Sequence, residues 1–183
     1  DNKDVELTVD AGSKVQLRCG RSHFSIIGQP KSDYPVLPEF NKTNAFEVPS
    51  KVLALMIDKT IFSVSSDETR HVLNGVFWSA NKGVFEMVST DGRRLSVVAK
   101  KIVPADKEFQ VIVPTKVLTE MERTINNQGS KEGDGENVLL TVNENQIGFQ
   151  MKSTTIISRL LAGSFPNYQQ VIPQKKDIMV TVG

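Results

Sequence analysis

The sequence VSTDGRRL at residues 88–95 joins two apolar segments through the pair Asp91-Gly92. Asp-Gly favours a tight turn, because glycine accepts the positive φ that such turns require. The flanking segments, 84–89 and 95–99, are rich in valine and other apolar residues, as is typical of strands. Local chemistry therefore predicts a β-hairpin here and by itself indicates no function.

Strand patterns dominate the rest of the chain. Apolar and polar residues alternate at 5–9 and at 15–19, on either side of a turn at 11–13. Period-two alternation predicts half-buried antiparallel strands joined as a hairpin. Residues 28–38 contain three prolines and are predicted to form a linker. Further strands are predicted at 24–27, 74–79, 110–113, 138–142, 146–151 and 154–160.

Two segments have helical periodicity. Pro49 suits a first helical position, and apolar residues then recur at spacings of three and four from Leu53 to Val64. A second helix is predicted to begin at Pro114, with Val117, Leu118, Met121 and Ile125 on its apolar face, and to end in the polar sequence 126–129. The pattern predicts a strand-rich α+β unit with two helices.

An internal repeat relates the two ends of this unit. Residues 5–10 resemble residues 138–143, and Thr8 corresponds to Thr141, 133 residues later. Each segment precedes an alternating strand, a strand rich in serine or threonine, and an aromatic-proline linker at Tyr34 or Phe165. The shared order favours duplication over chance likeness between hairpins. It predicts that residues 1–43 end one copy, that 44–172 form a complete copy, and that 173–183 begin a third.

Composition bounds the function. The chain carries 22 Lys and Arg against 21 Asp and Glu, so its net charge of +1 does not predict tight electrostatic binding to nucleic acid. The single cysteine, Cys19, excludes a disulfide within the chain, which fits a reducing cytoplasm, and we expect it to be a small buried residue in a strand. Both ends fall within strand-like patterns, so we expect the chain to be part of a longer protein.

No arrangement of residues indicates an active site. The two histidines, His23 and His71, have no partner at catalytic or metal-ligand spacing, and no nucleotide-binding or nucleophile motif is present. The acidic loop 129–136 lacks the ligand spacing of a calcium site, and Asp67-Glu68 is interpreted as a solvated helix end. We therefore expect a binding protein without a metal or cofactor.

Five motifs, in chain order, resemble those of bacterial DNA sliding clamps, the beta subunits of DNA polymerase III. The resemblance covers essentially the whole chain. GRSHFS at 20–25 resembles GRSRFS, LNG at 73–75 is shared, TDGRRL at 90–95 resembles TDGHRL, VPTK at 113–116 resembles VPRK, and FPNYQQVIP at 165–173 resembles FPDYRRVIP.

The resemblance implies a DNA clamp fold. Each subunit has three similar domains, and a head-to-tail homodimer forms a ring around duplex DNA of any sequence, with antiparallel sheets outside and two amphipathic helices per domain lining the pore. It also implies a non-catalytic processivity factor, cytoplasmic and located at replication forks in the nucleoid. Residues 1–43 would then end the first domain, 44–172 form the middle domain and 173–183 begin the third. The candidate DNA-facing residues are Lys51, Lys59, Lys116 and Arg123, for which a solvated helix face is the alternative.

The resemblance further implies a pocket between the middle and third domains. There the replicative polymerase, the clamp loader and repair proteins insert short peptide motifs. Four apolar positions would form a cup, for which core packing is the alternative, and Thr90 and Arg94 would make polar contacts at its rim. The matching positions are Leu73, Thr90, Gly92, Arg93, Arg94, Leu95, Pro166 and Val171.

The chain departs from the family motifs at four positions. Arg93 replaces the usual histidine, Asn167 replaces an aspartate, and Gln169 and Gln170 replace an arginine pair. We expect these changes to alter which peptides are preferred. Two alternatives to the clamp interpretation are a strand-rich binding module unrelated to replication and an enzyme whose site the motifs do not reveal.

Overall fold

The structure, a computed structural model, describes residues 4–36, 38–128 and 136–173. The chain divides into two compact units, residues 1–39 and residues 40–183. The predicted acidic loop at 129–136 lies outside the described residues except for Glu136, and so does most of the predicted start of a third domain.

The first unit is a three-stranded antiparallel sheet. It consists of β1 (Glu6–Val9), β2 (Lys14–Cys19) and β3 (Ser22–Ile27), in the order β1-β2-β3. The predicted hairpin is therefore confirmed. A 3-10 helix, Lys31–Asp33, interrupts the predicted linker.

The strand register places the apolar side chains of this sheet on one face. Leu17 lies opposite both Leu7 and Phe24. Leu7 is 59% exposed and Phe24 65% exposed, because no other element among the described residues of this unit packs on that face. The prediction of half-burial is thus wrong for β1, and Cys19 is half-buried where we expected a buried residue.

The second unit is built from two halves with the same order of elements. The first half comprises β4 (Phe46–Pro49), α1 (Ser50–Ile61), β5 (Gly75–Asn81), β6 (Val84–Thr90) and β7 (Leu95–Lys101). The second half comprises β8 (Phe109–Pro114), α2 (Thr115–Gln128), β9 (Asn137–Val142), β10 (Gln146–Met151) and β11 (Thr154–Arg159). Two further 3-10 helices span Glu68–Leu73 and Tyr168–Val171.

Each half contributes its first strand to the sheet of the other. One sheet has the order β7-β6-β5-β8 and the second has the order β11-β10-β9-β4, so β8 pairs with β5 and β4 pairs with β9. At β5 the two backbones approach closely, since a Cβ on Gly75 would lie 2.5 Å from the carbonyl oxygen of Val113. Both sheets are antiparallel throughout.

Each helix begins directly after the first strand of its half. The two prolines expected at the first helical position instead end the strands β4 and β8, so each helix begins one residue later. The amide of Ser50 donates to the carbonyl of Glu136 at 3.0 Å, and the hydroxyl of Thr115 donates to the carbonyl of Asn74 at 2.6 Å. Both contacts tie the start of a helix to the residue that precedes a sheet strand.

The core lies between the helices and the sheets. The predicted apolar faces are confirmed within both helices, since Leu53 and Met56 of α1 and Leu118 and Met121 of α2 are fully buried. The first helix ends at Ile61, however, so Val64 lies beyond it. Trp78 of β5 is also fully buried. Burial of these large apolar side chains is the main contribution to stability. Of the helices in the described residues, none has the length and apolar character needed to cross a membrane.

The predicted repeat is visible in the strand register. Cys19 pairs with Ser22 at the end of the β2–β3 hairpin, and Met151 pairs with Thr154 in the β10–β11 hairpin, 132 residues later in each case. Both hairpins turn through two residues, and the first of each pair has positive φ, 59° at Gly20 and 50° at Lys152. The two segments therefore share both topology and turn geometry.

Two hydroxyl groups fix the end of α1 to the β6–β7 hairpin. Ser89 of β6 donates to the carbonyl of Thr60 at 2.5 Å, and Ser96 of β7 donates to the carbonyl of Lys59. Carbonyls in the last turn of a helix lack partners within the helix. The Thr60 carbonyl also accepts the amide of Ser63 at 3.1 Å, and the two serine hydroxyls add bonds from the hairpin. The loop at the tip of this hairpin is thereby held beside the residues that follow α1.

We expect Ser89→Ala to lower the free energy of unfolding by about 1 kcal/mol, because the buried carbonyl of Thr60 loses a hydrogen bond. The measurement is equilibrium unfolding in urea. Ser79→Ala, a half-buried serine on the adjacent strand β5, is the matched control and should change the value by less than about 0.5 kcal/mol. Equal effects of the two substitutions would contradict the role assigned to Ser89.

Candidate functional site

The turn at residues 91–94 is organised by the carboxylate of Asp91. Its Oδ1 accepts hydrogen bonds from the amides of Arg93 at 2.9 Å and Arg94 at 3.1 Å, and its Oδ2 accepts one from Nε of Arg94 at 3.0 Å. Gly92 has φ +88°, a conformation that favours glycine. The predicted hairpin and its tight turn are confirmed.

Thr90 closes the same turn from the strand side. Its hydroxyl donates to the carbonyl of Arg94 at 2.7 Å and accepts from the amide of Gly92 at 3.0 Å. The predicted polar contact of Thr90 with a bound peptide stays a prediction, since the hydroxyl oxygen can accept one further hydrogen bond.

A second wall faces this turn. Asp67 caps the 3-10 helix Glu68–Leu73 and accepts from the amide and hydroxyl of Thr69 at 3.0 and 2.7 Å. Asp67-Glu68, interpreted as a solvated helix end, thus lies exposed at the N-terminal end of this 3-10 helix. Arg70 extends from this helix toward the turn, so that a Cβ on Gly92 would lie 3.2 Å from its Nη1.

The motif LNG at 73–75 holds this wall in place. Leu73 is buried. With its side-chain amide oriented to donate, Nδ2 of Asn74 lies 3.0 Å from the carbonyl oxygens of both Ser65 and Asp67. The motif thus braces residues 65–67 against the start of β5.

Between the two walls lies a cleft of about 500 Å³. Three of the predicted site residues, Gly92, Arg93 and Arg94, line it. Arg70 also lines it and was missed in the sequence, where its only signal is its position three residues before Leu73. The remaining lining residues are Val64, Ser65, Ser66, Asp67 and Asp91.

The cleft contains charges of both signs. Hydrogen bonds from Thr69, and then the nearby Arg70, hold the pKa of Asp67 below its ordinary value. Bonds from the amides of Arg93 and Arg94 hold the pKa of Asp91 below its ordinary value in the same way. Both carboxylates therefore stay ionised at neutral and mildly acidic pH.

The segment after β11 packs on the outer surface of the other sheet. The amide of Leu161 donates to the carbonyl of Ile112 at 2.9 Å. Phe165 then stacks on Phe77 with ring centroids 5.2 Å apart, and the hydroxyl of Tyr168 donates to the carboxylate of Glu86. These contacts fix the predicted linker motif to β5 and β6.

The other predicted site residues are not gathered into the same cleft. Pro166 lines a separate, open cleft of about 1000 Å³ between the outer sheet surface and this segment. Leu73 is buried, Leu95 is half-buried and Val171 is 69% exposed, and these three line neither cleft. An apolar cup formed by these four residues stays a prediction.

The candidate DNA-facing residues lie on the exposed sides of the helices. Lys51, Lys59, Lys116 and Arg123 are all exposed. Two of them have acidic neighbours on the same helix, since Lys59 lies 3.7 Å from Asp58 and Arg123 lies 2.8 Å from Glu120. The helices thus present a mixed rather than a strongly basic surface.

Neither histidine takes part in a cluster of potential ligands. His71 contacts the carbonyl of Ala162 at 3.2 Å, and His23 lies exposed in β3. Within the part of the chain that the structure describes, no three His, Cys, Asp or Glu side chains are grouped so as to hold a metal ion.

Comparison with known proteins identifies relatives of this chain. Residues 47–167 match the family model described as the DNA polymerase III beta subunit, central domain. The beta sliding clamp of Bacillus subtilis (strain 168) is 32% identical over 179 residues, which are 96% of this chain and 46% of that protein.

Solved structures give the same result. The DNA polymerase sliding clamp of Bacillus subtilis superposes with a TM-score of 0.81 at 31% identity, over 93% of this chain and 44% of that one. A Pseudomonas aeruginosa sliding clamp bound to griselimycin superposes with a TM-score of 0.80 at 28% identity, over 97% of this chain and 46% of that one. The chain spans about half the length of the relatives it matches.

Tyr168→Phe tests how the linker is fixed. Burial against the sheet, and then the bond to Glu86, raise the pKa of Tyr168 to about 12 from its ordinary value of 10.0. The neutral phenol therefore contributes stability that is fully present below pH 10.0 and is lost as the pH rises toward about 12. We expect tyrosinate absorbance to show a component near pH 12 that disappears in Tyr168→Phe.

The matched control for this titration is Tyr34→Phe, which removes the other of the two tyrosines. It should leave the high-pH component in place. A Tyr168 component at its ordinary value would show that the contact with Glu86 does not persist in solution.

Proposed function

Because this chain belongs to the family of DNA polymerase III beta subunits, the bacterial sliding clamps, we propose that it is part of a replication processivity factor. This factor encircles duplex DNA and tethers the replicative polymerase to it. The observation that carries the proposal is the match of residues 47–167 to the central domain of the family. On this proposal the chain is a non-catalytic binding platform of the cytoplasm, acting at replication forks.

The proposal assigns a domain to each part of the chain. Residues 1–43 end the first clamp domain, residues 44–172 form the whole middle domain, and residues 173–183 begin the third. Two observations support this assignment: the family match falls within 44–172, and the β2–β3 hairpin recurs as β10–β11 at an offset of 132 residues.

The complete protein is proposed to form a head-to-tail homodimeric ring. The helices α1 and α2 line its pore, and Lys51, Lys59, Lys116 and Arg123 face the phosphates of DNA. Their exposure supports this role, and the acidic neighbours of two of them fit a ring that slides. A ring retained by its topology needs no tight binding, and extensive counterion release would oppose movement along DNA.

Partner proteins are proposed to bind through short peptide motifs beside the cleft at residues 91–94. The replicative polymerase, the clamp loader and repair proteins would use this surface. Its support is the rigid turn built by Thr90 and Asp91, which presents Gly92, Arg93 and Arg94 along one side of a concave surface. The family match argues against the alternative of a strand-rich module unrelated to replication.

We expect the double substitution Arg94→Ala, Leu95→Ala to weaken binding of a fluorescent peptide with a glutamine-and-leucine clamp-binding motif by at least about tenfold. The reason is the loss of a charged donor at the cleft and of an adjacent apolar side chain. The measurement is fluorescence polarisation, with retention of the fold checked by circular dichroism.

The matched control is Val97→Ala, Lys100→Ala, which removes an apolar and a basic side chain from the same strand, β7, away from the cleft. It should bind as the unsubstituted chain does. Equal loss in the two variants, or no saturable binding to the unsubstituted chain, would count against a peptide site at this turn.

A second test addresses DNA. Replacing Lys51, Lys59, Lys116 and Arg123 by glutamine should make the weak association with duplex DNA less dependent on salt. In a plot of the logarithm of the binding constant against the logarithm of the salt concentration, the slope should fall in magnitude by up to about 0.9 for each DNA phosphate that the variant no longer neutralises. The measurement is the affinity for a short duplex over a series of salt concentrations.

The control for the DNA test replaces Lys82, Lys100, Lys101 and Arg159 by glutamine. These residues match the helix set in number and type but lie on the strands and a turn. If both quadruple variants reduce the slope equally, the helices do not face DNA.

A further inference from the structure

The charges that line the cleft at residues 91–94 do not cancel. Asp67 is paired with Arg70 at 3.6 Å, and Asp91 is paired with Arg94 at 3.0 Å. The fifth charged residue of the lining, Arg93, is exposed, and its guanidinium has no ion pair or hydrogen bond among the described residues. The cleft therefore carries one uncompensated positive charge.

The two aspartates already have other partners. Oδ1 of Asp91 accepts two backbone amides of the turn, and its Oδ2 accepts Nε of Arg94. Oδ1 of Asp67 accepts both the amide and the hydroxyl of Thr69. Rotating either carboxylate toward Arg93 would break several charge-assisted hydrogen bonds to form one.

The backbone of Arg93 is fixed while its side chain is free. Its amide is held by Asp91 at 2.9 Å, and the preceding residue adopts the φ of +88° that closes the turn. A guanidinium is a planar array of donors that matches a carboxylate through two parallel hydrogen bonds. Arg93 thus offers an anchored and unoccupied donor group at the edge of a concave surface.

From this arrangement we infer that Arg93 makes the cleft selective for partner peptides that carry an acidic side chain. The inference rests on the proposed function and specifies the chemistry of the partner. One acidic side chain of a peptide supplies a single carboxylate, which matches the single uncompensated charge. Duplex DNA fits less well, because a single uncompensated charge in the cleft would neutralise little of a polyanion and release few counterions.

The test compares pairs of peptides that carry the glutamine-and-leucine motif and differ only by aspartate or asparagine at one position. Titration of the isotope-labelled chain, followed by NMR at the amides of Arg93 and Arg94, detects weak as well as tight binding. We expect the aspartate peptide of at least one pair to bind about tenfold more tightly at low ionic strength, and the difference to shrink in high salt.

Substitutions at Arg93 assign the difference to this residue. Arg93→Gln should bind the aspartate and asparagine peptides with equal affinity, whatever its overall affinity for them. Lys100→Gln, which removes an exposed charge from β7 outside the cleft, should keep the preference.

Arg93→His provides a readout that altered packing would not give. Its preference for aspartate should be present at about pH 6 and lost by about pH 8, because histidine loses its charge over this range, whereas the unsubstituted chain should keep its preference throughout. The other charged groups on the facing elements are Glu68, Arg70 and His71 of the 3-10 helix, Asp67, Asp91 and Arg94. All of them are present in both proteins, so their titration cancels in the comparison.

Four outcomes would overturn the inference. Equal binding of the two peptides of every pair to the unsubstituted chain would refute the selectivity and leave the proposed peptide site intact. A preference that survives in Arg93→Gln would assign it to another residue. Binding of neither peptide would remove the proposed peptide site and this inference with it. Weaker binding of duplex DNA to Arg93→Gln, with peptide binding unchanged, would make Arg93 a phosphate-binding residue.

Discussion

The exchange of first strands between the two halves of the second unit is the constraint on which the rest of the structure depends. β4 completes the sheet of the second half and β8 completes the sheet of the first, so neither half forms its full sheet without the other. Each helix starts directly after an exchanged strand. The start of α1 is bonded to Glu136, which precedes β9, and the start of α2 is bonded to Asn74, which precedes β5. The positions of the helices and of the sheets are therefore set together.

This framework explains how a polar turn keeps a defined shape. The last carbonyls of α1 accept the hydroxyls of Ser89 and Ser96, which lie on the two strands of the hairpin that carries the turn. Asn74 braces the facing wall from the start of β5. The charged residues of the cleft thus stand on rigid elements, an arrangement that lowers the entropic cost of binding a partner.

Much of the fold could be predicted because its signals are local. Asp91-Gly92 marked the hairpin, and the spacing of apolar residues marked both helices. Strand β4 was missed although Phe46, Glu47 and Val48 alternate, because so short a run before Pro49 was not separated from the start of the helix. The shared pattern of VPSK at 48–51 and VPTK at 113–116 would have indicated it. The site was predicted only in part. The turn residues were found through a motif, whereas the contribution of Arg70 depends on a fold that brings two distant segments together.

The burial of Trp78 has a consequence for optical work on this chain. It is the sole tryptophan, it is fully buried in β5, and its ring packs nearly perpendicular to that of Phe85, with centroids 5.1 Å apart. An indole in such apolar surroundings emits at short wavelength and shifts to the red when water reaches it. Residues 1–39 contain no tryptophan, so this emission reports the integrity of the second unit alone. Trp78 lines neither cleft, so a ligand bound in either cleft does not contact the indole directly. The intrinsic fluorescence therefore reports unfolding of the second unit and not the binding of a ligand.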